Sequence, residues 1–279
     1  MNRWVSLLLL LGALALGAAG AWAQTERTEP LPEELTGLGI FPRNGEALPL
    51  DLTFTASDGQ RVRLGDFFTG EKPVILTLVY YNCPMLCNIL LDSFVKGLQG
   101  LDWTAGQEFE IVTVSIDPRE NSEQARFKKA HQIENYGRPS AAEGWHFLTG
   151  EEKQIRALAD AVGFKYAWND ETQQFMHAAG IFIVSPEGVV SQTLLGLVFE
   201  PRTLRLALVE ASQGEIGGIL DQALLFCFHY DAESGRYAPA AMKLMRLGAA
   251  LAGIGFLAWL ITFWIRDKRR RLRMEGSRP

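Results

Sequence analysis

Cysteine and histidine are scarce in this chain of 279 residues, which has three cysteines and four histidines. The odd cysteine count leaves at least one thiol without an internal disulfide partner, so the cysteines cannot all serve as staples. No cysteine precedes Cys83, and we therefore expect no lipid anchor at the N-terminus. The sequence contains no internal repeat.

Positive charge is also in deficit, because the formal net charge is −5. Much of the basic charge lies in the tail 266–279, so the rest of the chain is more acidic still. An acidic surface argues against a nucleic-acid partner and suits cations or a basic protein. The basic tail would be a nucleic-acid patch only on a weaker alternative interpretation.

Long apolar runs occur only at the two ends. Residues 1–23 have a basic Arg3, an apolar stretch and the small-residue ending Ala21-Trp22-Ala23, which is typical of a cleavable signal peptide; an uncleaved anchor is the alternative. Residues 247–265 are apolar and uncharged, long enough for one transmembrane helix, and the basic tail 266–279 should stay cytoplasmic. We therefore expect a single-pass protein of the inner membrane with its body in the periplasm.

Between these ends the pattern predicts one folded domain. Residues 24–48 are rich in Pro, Glu, Thr and Gly and are interpreted as a tether. Strand-like and helix-like segments then alternate over 49–213, which predicts an α/β fold with a mixed central sheet flanked by helices. Residues 214–246 are a juxtamembrane segment.

Cys83 and Cys87 lie at a junction between a strand and a helix. The apolar, β-branched run 74–79 predicts a buried strand, and helical spacing follows to Leu98. Pro84 suits a first helical turn, which makes Cys83 the expected N-cap and puts Cys87 one turn into the helix. Both sulfurs would then share one face, and the helix dipole should favour their thiolate forms.

Three uses of this cysteine pair stay open. A disulfide between residues four apart closes a very short loop and adds little stability, so a purely structural disulfide is the weakest of the three hypotheses. Thiolates bind soft metals and attack disulfides, so metal binding and redox chemistry are the stronger hypotheses. Active sites of α/β sheets gather beyond the carboxyl ends of strands, where this pair lies.

Of the four histidines, His177 is the candidate partner for the cysteines. It lies in a loop, 173–180, that runs into the predicted strand 181–185. In a thioredoxin-type sheet this loop passes over the cysteine helix, and thioredoxin-like oxidoreductases have a cis-proline there, which this chain lacks. Two thiolates and an imidazole suit copper in either oxidation state, or zinc with a fourth ligand. His131 and His146 are interpreted as surface or packing residues.

Three motifs together resemble the Sco/SenC family of thioredoxin-fold copper chaperones. They are Tyr81-Asn82-Cys83-Pro84-Met85-Leu86-Cys87, Val114-Ser115-Ile116-Asp117-Pro118 and the isolated His177. The resemblance spans about Leu50 to Ala211 and implies a thioredoxin-like fold, with Cu(I) or Cu(II) bound by Cys83, Cys87 and His177. Asp117 would support the site without binding the metal.

The resemblance also implies a role: delivery of copper to the binuclear copper centre of cytochrome c oxidase. The partners would be the oxidase subunit with that centre, other periplasmic copper chaperones and thiol reductants. The alternative is a thiol-disulfide oxidoreductase that uses a reversible Cys83–Cys87 disulfide to keep a copper-receiving protein reduced. A metallochaperone would not be an enzyme, whereas the oxidoreductase would.

The chain departs from the family pattern at Met85, at Asn88 and at the residues after Pro118, which read Arg119-Glu120-Asn121-Ser122. Met85 is interpreted as a packing residue, and contact of its thioether with Cu(I) is the alternative. Farther on, Cys227 and His229 could form a second metal-binding pair. We favour a plain apolar segment that packs on the domain, because alternate residues share a face only in an extended chain.

Overall fold

The computed structural model describes residues 37–213, 228–231, 236–239, 248–249, 251–256, 259 and 262–264. The predicted signal peptide, the basic tail and Cys227 lie outside the described residues. In the described part the strands are β1 (Gly39–Ile40), β2 (Thr53–Ala56), β3 (Arg61–Arg63), β4 (Val74–Val79), β5 (Glu110–Ser115), β6 (Trp145–Thr149), β7 (Phe164–Lys165), β8 (Ala167–Asn169), β9 (Gln174–Met176), β10 (Gly180–Val184), β11 (Val190–Leu195), β12 (Phe228–Asp231) and β13 (Arg236–Pro239). The helices are α1 (Leu86–Gln99), α2 (Ser122–Tyr136), α3 (Glu152–Ala161) and α4 (Pro201–Ala211).

Seven strands form the central sheet in the order β11-β10-β4-β5-β6-β2-β3. Strands β4, β5 and β6 are parallel, and β10 and β2 join them antiparallel, so the sheet is mixed as predicted. The parallel strands are joined through α1 and α2, which contact each other, while α1 also packs on α4. The prediction of an α/β fold with a mixed sheet flanked by helices is confirmed.

The middle of the sheet is buried on both faces. Every residue of β4 and of β10 is buried, which explains why these strands are continuous apolar runs rather than alternating ones. Aromatic side chains fill the space beside α1, where Phe94 meets Trp145 and Phe199 edge to face. This packing fixes the strand ends from which the cysteine loop departs.

The structure corrects the predicted tether over its described part. Residues 39 and 40 form β1, which pairs antiparallel with β7. Farther along, Gly45 and Leu48 donate backbone hydrogen bonds to Val190 and Gly188, and the Leu48 side chain is buried. Residues 37–48 therefore belong to the folded domain, because their backbone groups and apolar side chains find partners there.

Two local predictions near the cysteines are also wrong. The N-cap of α1 is Met85, not Cys83, so the helix begins at Leu86 and Pro84 lies in the preceding turn. Residues 173–180 are not all loop, since β9 pairs with β8 in a small antiparallel hairpin ahead of His177. Short irregular strands of this kind give too few residues for a period-two pattern to show in the sequence.

The C-terminal predictions stay predictions. Strands β12 and β13 pair with each other, with His229 opposite Ala238, and the residues between them lie outside the described part. Within the predicted span 247–265 the described residues are helical. Among the described residues, no helix has both the length and the apolar character needed to cross a bilayer.

Candidate functional site

The register of the sheet brings three separate segments to one edge. The cysteine loop follows β4 directly, and residues 116–117 follow β5, whose last residue, Ser115, pairs with Val79. Strand β10 runs antiparallel to β4 with Phe182 opposite Leu76 and Val184 opposite Val74. The start of β10 thus lies beside the end of β4, so the residues just before Gly180 meet the turn that holds Cys83.

Cys83 and Cys87 are both free thiols, and both are buried. The backbone N–H of Cys87 donates to Cys83 Sγ over 3.3 Å, and the N–H of Tyr80 donates to Cys87 Sγ over 3.5 Å. Although the helix begins later than predicted, Cys87 lies in its first turn. The free N–H groups of that turn therefore still point at sulfur.

The pKa values of the two thiols are shifted in opposite directions. A hydrogen bond from Cys87 is the main cause that holds the pKa of Cys83 far below its ordinary value, and contacts with His177 and Tyr80 lower it further against the cost of burial. The same hydrogen bond, together with burial, raises the pKa of Cys87. The opposite directions of the two pKa shifts favour one shared proton, with Cys83 as the thiolate and Cys87 as the thiol.

His177 lies against this pair, as the sequence predicts. Its Nε2 is 3.4 Å from Cys87 Sγ, and its Nδ1 is 2.8 Å from the carbonyl oxygen of Ala178. A carbonyl only accepts, so Nδ1 carries a proton and donates it to this oxygen, and Nε2 is the ring nitrogen that faces the sulfur. The rings of Tyr80 and Phe164 contact the imidazole and fix its orientation.

This arrangement fits a soft metal ion. Sulfur and nitrogen ligands at roughly 2.3 and 2.1 Å from a tetrahedral ion lie roughly 3.5 Å apart, close to the separation of Cys87 Sγ and His177 Nε2. A ligating histidine commonly donates its other N–H to a carbonyl, as Nδ1 does here. Within the described ranges no group of three His, Cys, Asp or Glu side chains is placed to hold a metal ion, so binding by Cys83, Cys87 and His177 together would require these side chains to move closer.

Asp117 does not face the sulfurs with a free carboxylate. It forms a bidentate ion pair with Arg119, with Nε to Oδ1 at 2.8 Å and Nη2 to Oδ2 at 2.7 Å. The Arg119 guanidinium in turn lies 4.1 Å from the centre of the Trp168 ring. The role of Asp117 in support of the site stays a prediction, and its carboxylate is engaged by Arg119.

Glu120 is a site residue that the sequence reasoning missed. Its carboxylate is buried and accepts hydrogen bonds from the backbone N–H groups of Tyr81 and Asn82, at 2.8 and 2.7 Å, and from Ser115 Oγ at 2.5 Å. It thus holds the turn immediately before Cys83. The signal was the acidic residue itself, which lies in the segment after Pro118 where the chain departs from the family pattern.

The two departures inside the cysteine motif have different explanations. Asn88 donates to the carbonyl oxygen of Cys83 over 3.0 Å and accepts from Lys128 Nζ over 2.8 Å, so it ties the cysteine loop to α2. Met85 is 66% exposed, so the interpretation as a packing residue is wrong. A helix that starts at Leu86 leaves Met85 outside the apolar face that α1 buries.

The other described histidines within residues 37–213 lie away from the sulfurs. His146 Nε2 is 3.3 Å from Glu110 Oε2 and its ring packs on Phe67, which agrees with a satisfied packing residue. His131 is exposed on α2. Of the histidines in this range, His177 is the one that the fold brings to the cysteine pair.

The chain is similar to a known protein family and to several solved structures. A model of the SCO1/SenC family matches residues 43–207, more than half of the chain. A protein from Aquifex aeolicus VF5, provisionally described as an electron transfer protein, is 24% identical with a TM-score of 0.53, over 61% of this chain and 95% of that one. A comparison with the sequences of curated proteins gave no significant match.

Two further solved structures are Sco proteins. ScoI of Arabidopsis thaliana with copper bound is 20% identical over 52% of this chain and 85% of its own, with a TM-score of 0.43. BsSco, described as a member of the Sco family of cytochrome c oxidase assembly proteins, is 21% identical over 63% and 96%, with a TM-score of 0.46.

Proposed function

The chain belongs to the SCO1/SenC family, and from this premise we propose that it binds copper through Cys83, Cys87 and His177. The observation that supports this most directly is the position of His177 Nε2, 3.4 Å from Cys87 Sγ. A thiolate, a second sulfur and a neutral imidazole are donors that suit both oxidation states of copper.

The role proposed for the bound copper is transfer, with copper as the cargo. The protein would hand the ion to the oxidase subunit that contains the binuclear copper centre of cytochrome c oxidase, by exchange of sulfur and nitrogen ligands. The exposed Met85 between the two cysteines offers a soft thioether at the surface, where an incoming donor must approach. A C-terminal span and a periplasmic domain would keep this exchange beside the inner membrane.

A second candidate is a thiol-disulfide oxidoreductase, which the unequal acidities of the pair favour. The Cys83 thiolate would attack a disulfide of the copper-receiving protein and form a mixed disulfide, releasing one target thiolate. Cys87 would then give up its proton and displace the second target sulfur. The target leaves as a dithiol, the Cys83–Cys87 disulfide remains, and an external thiol reductant must restore it.

Copper titration of the purified, reduced protein tests the first proposal. We expect about one ion per chain and an absorption spectrum from sulfur-to-copper charge transfer that changes in His177→Ala. The matched control is His131→Ala, which removes an exposed imidazole on α2 and should leave stoichiometry and spectrum unchanged. Unaltered copper binding in His177→Ala would contradict the ligand set.

A reductase assay on a disulfide substrate separates the two roles. An oxidoreductase loses activity in Cys83→Ser and Cys87→Ser but keeps most of it in His177→Ala, because the imidazole forms no bond with the exchanging sulfurs and lowers the pKa of Cys83 less than Cys87 does. A copper carrier instead loses metal transfer in all three variants.

A further inference from the structure

Arg119 joins two parts of the site that are far apart in sequence. Its guanidinium pairs with both carboxylate oxygens of Asp117, on the loop after β5. The guanidinium, whose edge is paired with Asp117, also lies over the ring of Trp168 in β8, at 4.1 Å, and 5.8 Å from the ring of Phe175 in β9. We call this set of contacts, made by Asp117, Arg119 and Trp168, the Arg119 bridge.

The hairpin at the far end of the bridge leads directly into His177. Trp168 and Phe175 are opposite each other in the β8–β9 register, and their rings meet edge to face at 4.9 Å. Phe175 also contacts the ring of Tyr80 at 5.5 Å, and His177 follows one residue after the end of β9. Displacement of the hairpin would therefore move the imidazole relative to the sulfurs.

The ion pair with Asp117 and the contact with the Trp168 ring both hold the Arg119 guanidinium in one orientation. Asp117 fixes the plane of the guanidinium through two parallel hydrogen bonds, and a fixed cation over an indole face attracts the ring. Lysine cannot reproduce this, because an ammonium makes no planar bidentate pair. These contacts therefore hold the β8–β9 hairpin against the loop that follows β5.

We propose that Arg119 is a positioning residue that holds His177 against Cys83 and Cys87, and that the Arg119 bridge sets how long the imidazole stays on a bound copper ion. The inference rests on the proposed copper function. It also assigns a role to Asp117, whose carboxylate orients the Arg119 side chain and does not bind the metal. Residues that orient a ligand typically change metal affinity about 10- to 100-fold when they are removed.

The test measures the rate at which copper leaves the full protein for a competing chelator. We expect Arg119→Gln and Trp168→Leu each to speed copper loss roughly tenfold, with a spectrum shifted toward that of His177→Ala. Arg119→Lys keeps the charge but not the bidentate pair, so it should lose copper at a rate between those of the wild type and Arg119→Gln. The matched control is Arg205→Gln, because Arg205 also lies over an indole, Trp103 at 4.2 Å, and near a carboxylate, but away from the sulfurs.

A double substitution decides whether the effect passes through the imidazole. In the His177→Ala background, Arg119→Gln should change the rate of copper loss by less than twofold. An equal acceleration in both backgrounds, or none in either, would overturn the proposal. A His177→Ala protein that behaves like the wild type would instead refute the copper ligand set, so the two failures are distinguishable.

A metal-free measurement gives an independent readout. The imidazole resonances of His177 in the reduced protein should report one fixed Nδ1–H tautomer in the wild type. In Arg119→Gln we expect them to broaden or to report a mixture of tautomers, whereas Arg205→Gln should leave them unchanged. Identical His177 resonances in wild type and Arg119→Gln would count against the bridge.

Discussion

Glu120→Gln tests whether a buried carboxylate holds the turn before Cys83. The two carboxylate oxygens accept from the backbone N–H groups of Tyr81 and Asn82 and from Ser115 Oγ. An amide of the same shape offers one acceptor oxygen, and its second position becomes a donor. At least one backbone N–H then faces another donor and loses its partner.

The expected loss of stability follows from the one backbone N–H that loses its acceptor. A buried donor left without a partner costs about 1–3 kcal/mol. The neutral amide recovers part of this, because burial is the main cause of the raised pKa of Glu120 and so works against its charged form. We expect Glu120→Gln to lower the free energy of unfolding by about 1–2 kcal/mol near neutral pH.

The dependence on pH has a definite sign. The pKa of Glu120 is raised above its ordinary value of 4.5, so the folded state takes up this proton more readily than the unfolded state. The stability linked to this proton is full below pH 4.5 and is lost as the pH rises through the raised pKa of the folded state. The difference in stability between wild type and Glu120→Gln should therefore shrink from acid toward neutral pH.

Urea unfolding of the metal-free protein at several pH values measures these differences, and alkylation of Cys83 reports the freedom of the turn. Alkylation should be faster in Glu120→Gln. Glu123→Gln is the matched control, because its carboxylate is exposed on α2, 3.9 Å from Arg126, and should change stability by less than about 0.5 kcal/mol. Equal stability of Glu120→Gln and wild type at every pH would refute the reasoning.

Three further expectations concern the same strand end and helix. Because the hydrogen bond from Cys87 is the main cause of the lowered pKa of Cys83, thiolate absorbance should titrate at higher pH in Cys87→Ala, which has no side-chain donor, and an unchanged titration would contradict the shared proton. Gly97→Ala should destabilise α1 by about 1–3 kcal/mol in urea unfolding despite its better helix propensity, since a Cβ there would meet the Phe199 carbonyl oxygen; stabilisation would refute this packing. Asn88→Ala should cost about 1 kcal/mol in the same assay, and a neutral result would show that the bond to the Cys83 carbonyl contributes nothing.

Much of the fold could be predicted from local pattern. The apolar run of β4 and the spacing within α4 each mark their element, because a strand buried on both faces and a helix with one buried face impose different periods on the chain. The predicted bounds of α4, 201–211, agree with the structure. Strands β1 and β7 of two residues each, by contrast, exist only because they pair with each other.

The helix start shows where local rules fail. A proline after Cys83 favours a first turn at that point, but the buried Glu120 carboxylate and the Asn88 amide hold residues 81–83 in a separate turn. Glu120 reaches this turn only because the sheet places the end of β5 beside the end of β4. The local preference of Pro84 is weaker than these hydrogen bonds, so the helix begins two residues later than predicted.

For the site, the sequence by itself determined the donors: two cysteines after a buried strand and a histidine before another, since those positions follow from element order. Only the tertiary structure decided how they meet, because the antiparallel register of β10 on β4 sets which residues face each other across the strand ends. The same holds for Arg119 and Glu120, whose charges are visible in the sequence but whose partners, an indole face and two backbone N–H groups, are chosen by packing. Hydrogen bonds and ring contacts act over a few ångströms, so they are fixed only when the chain has folded.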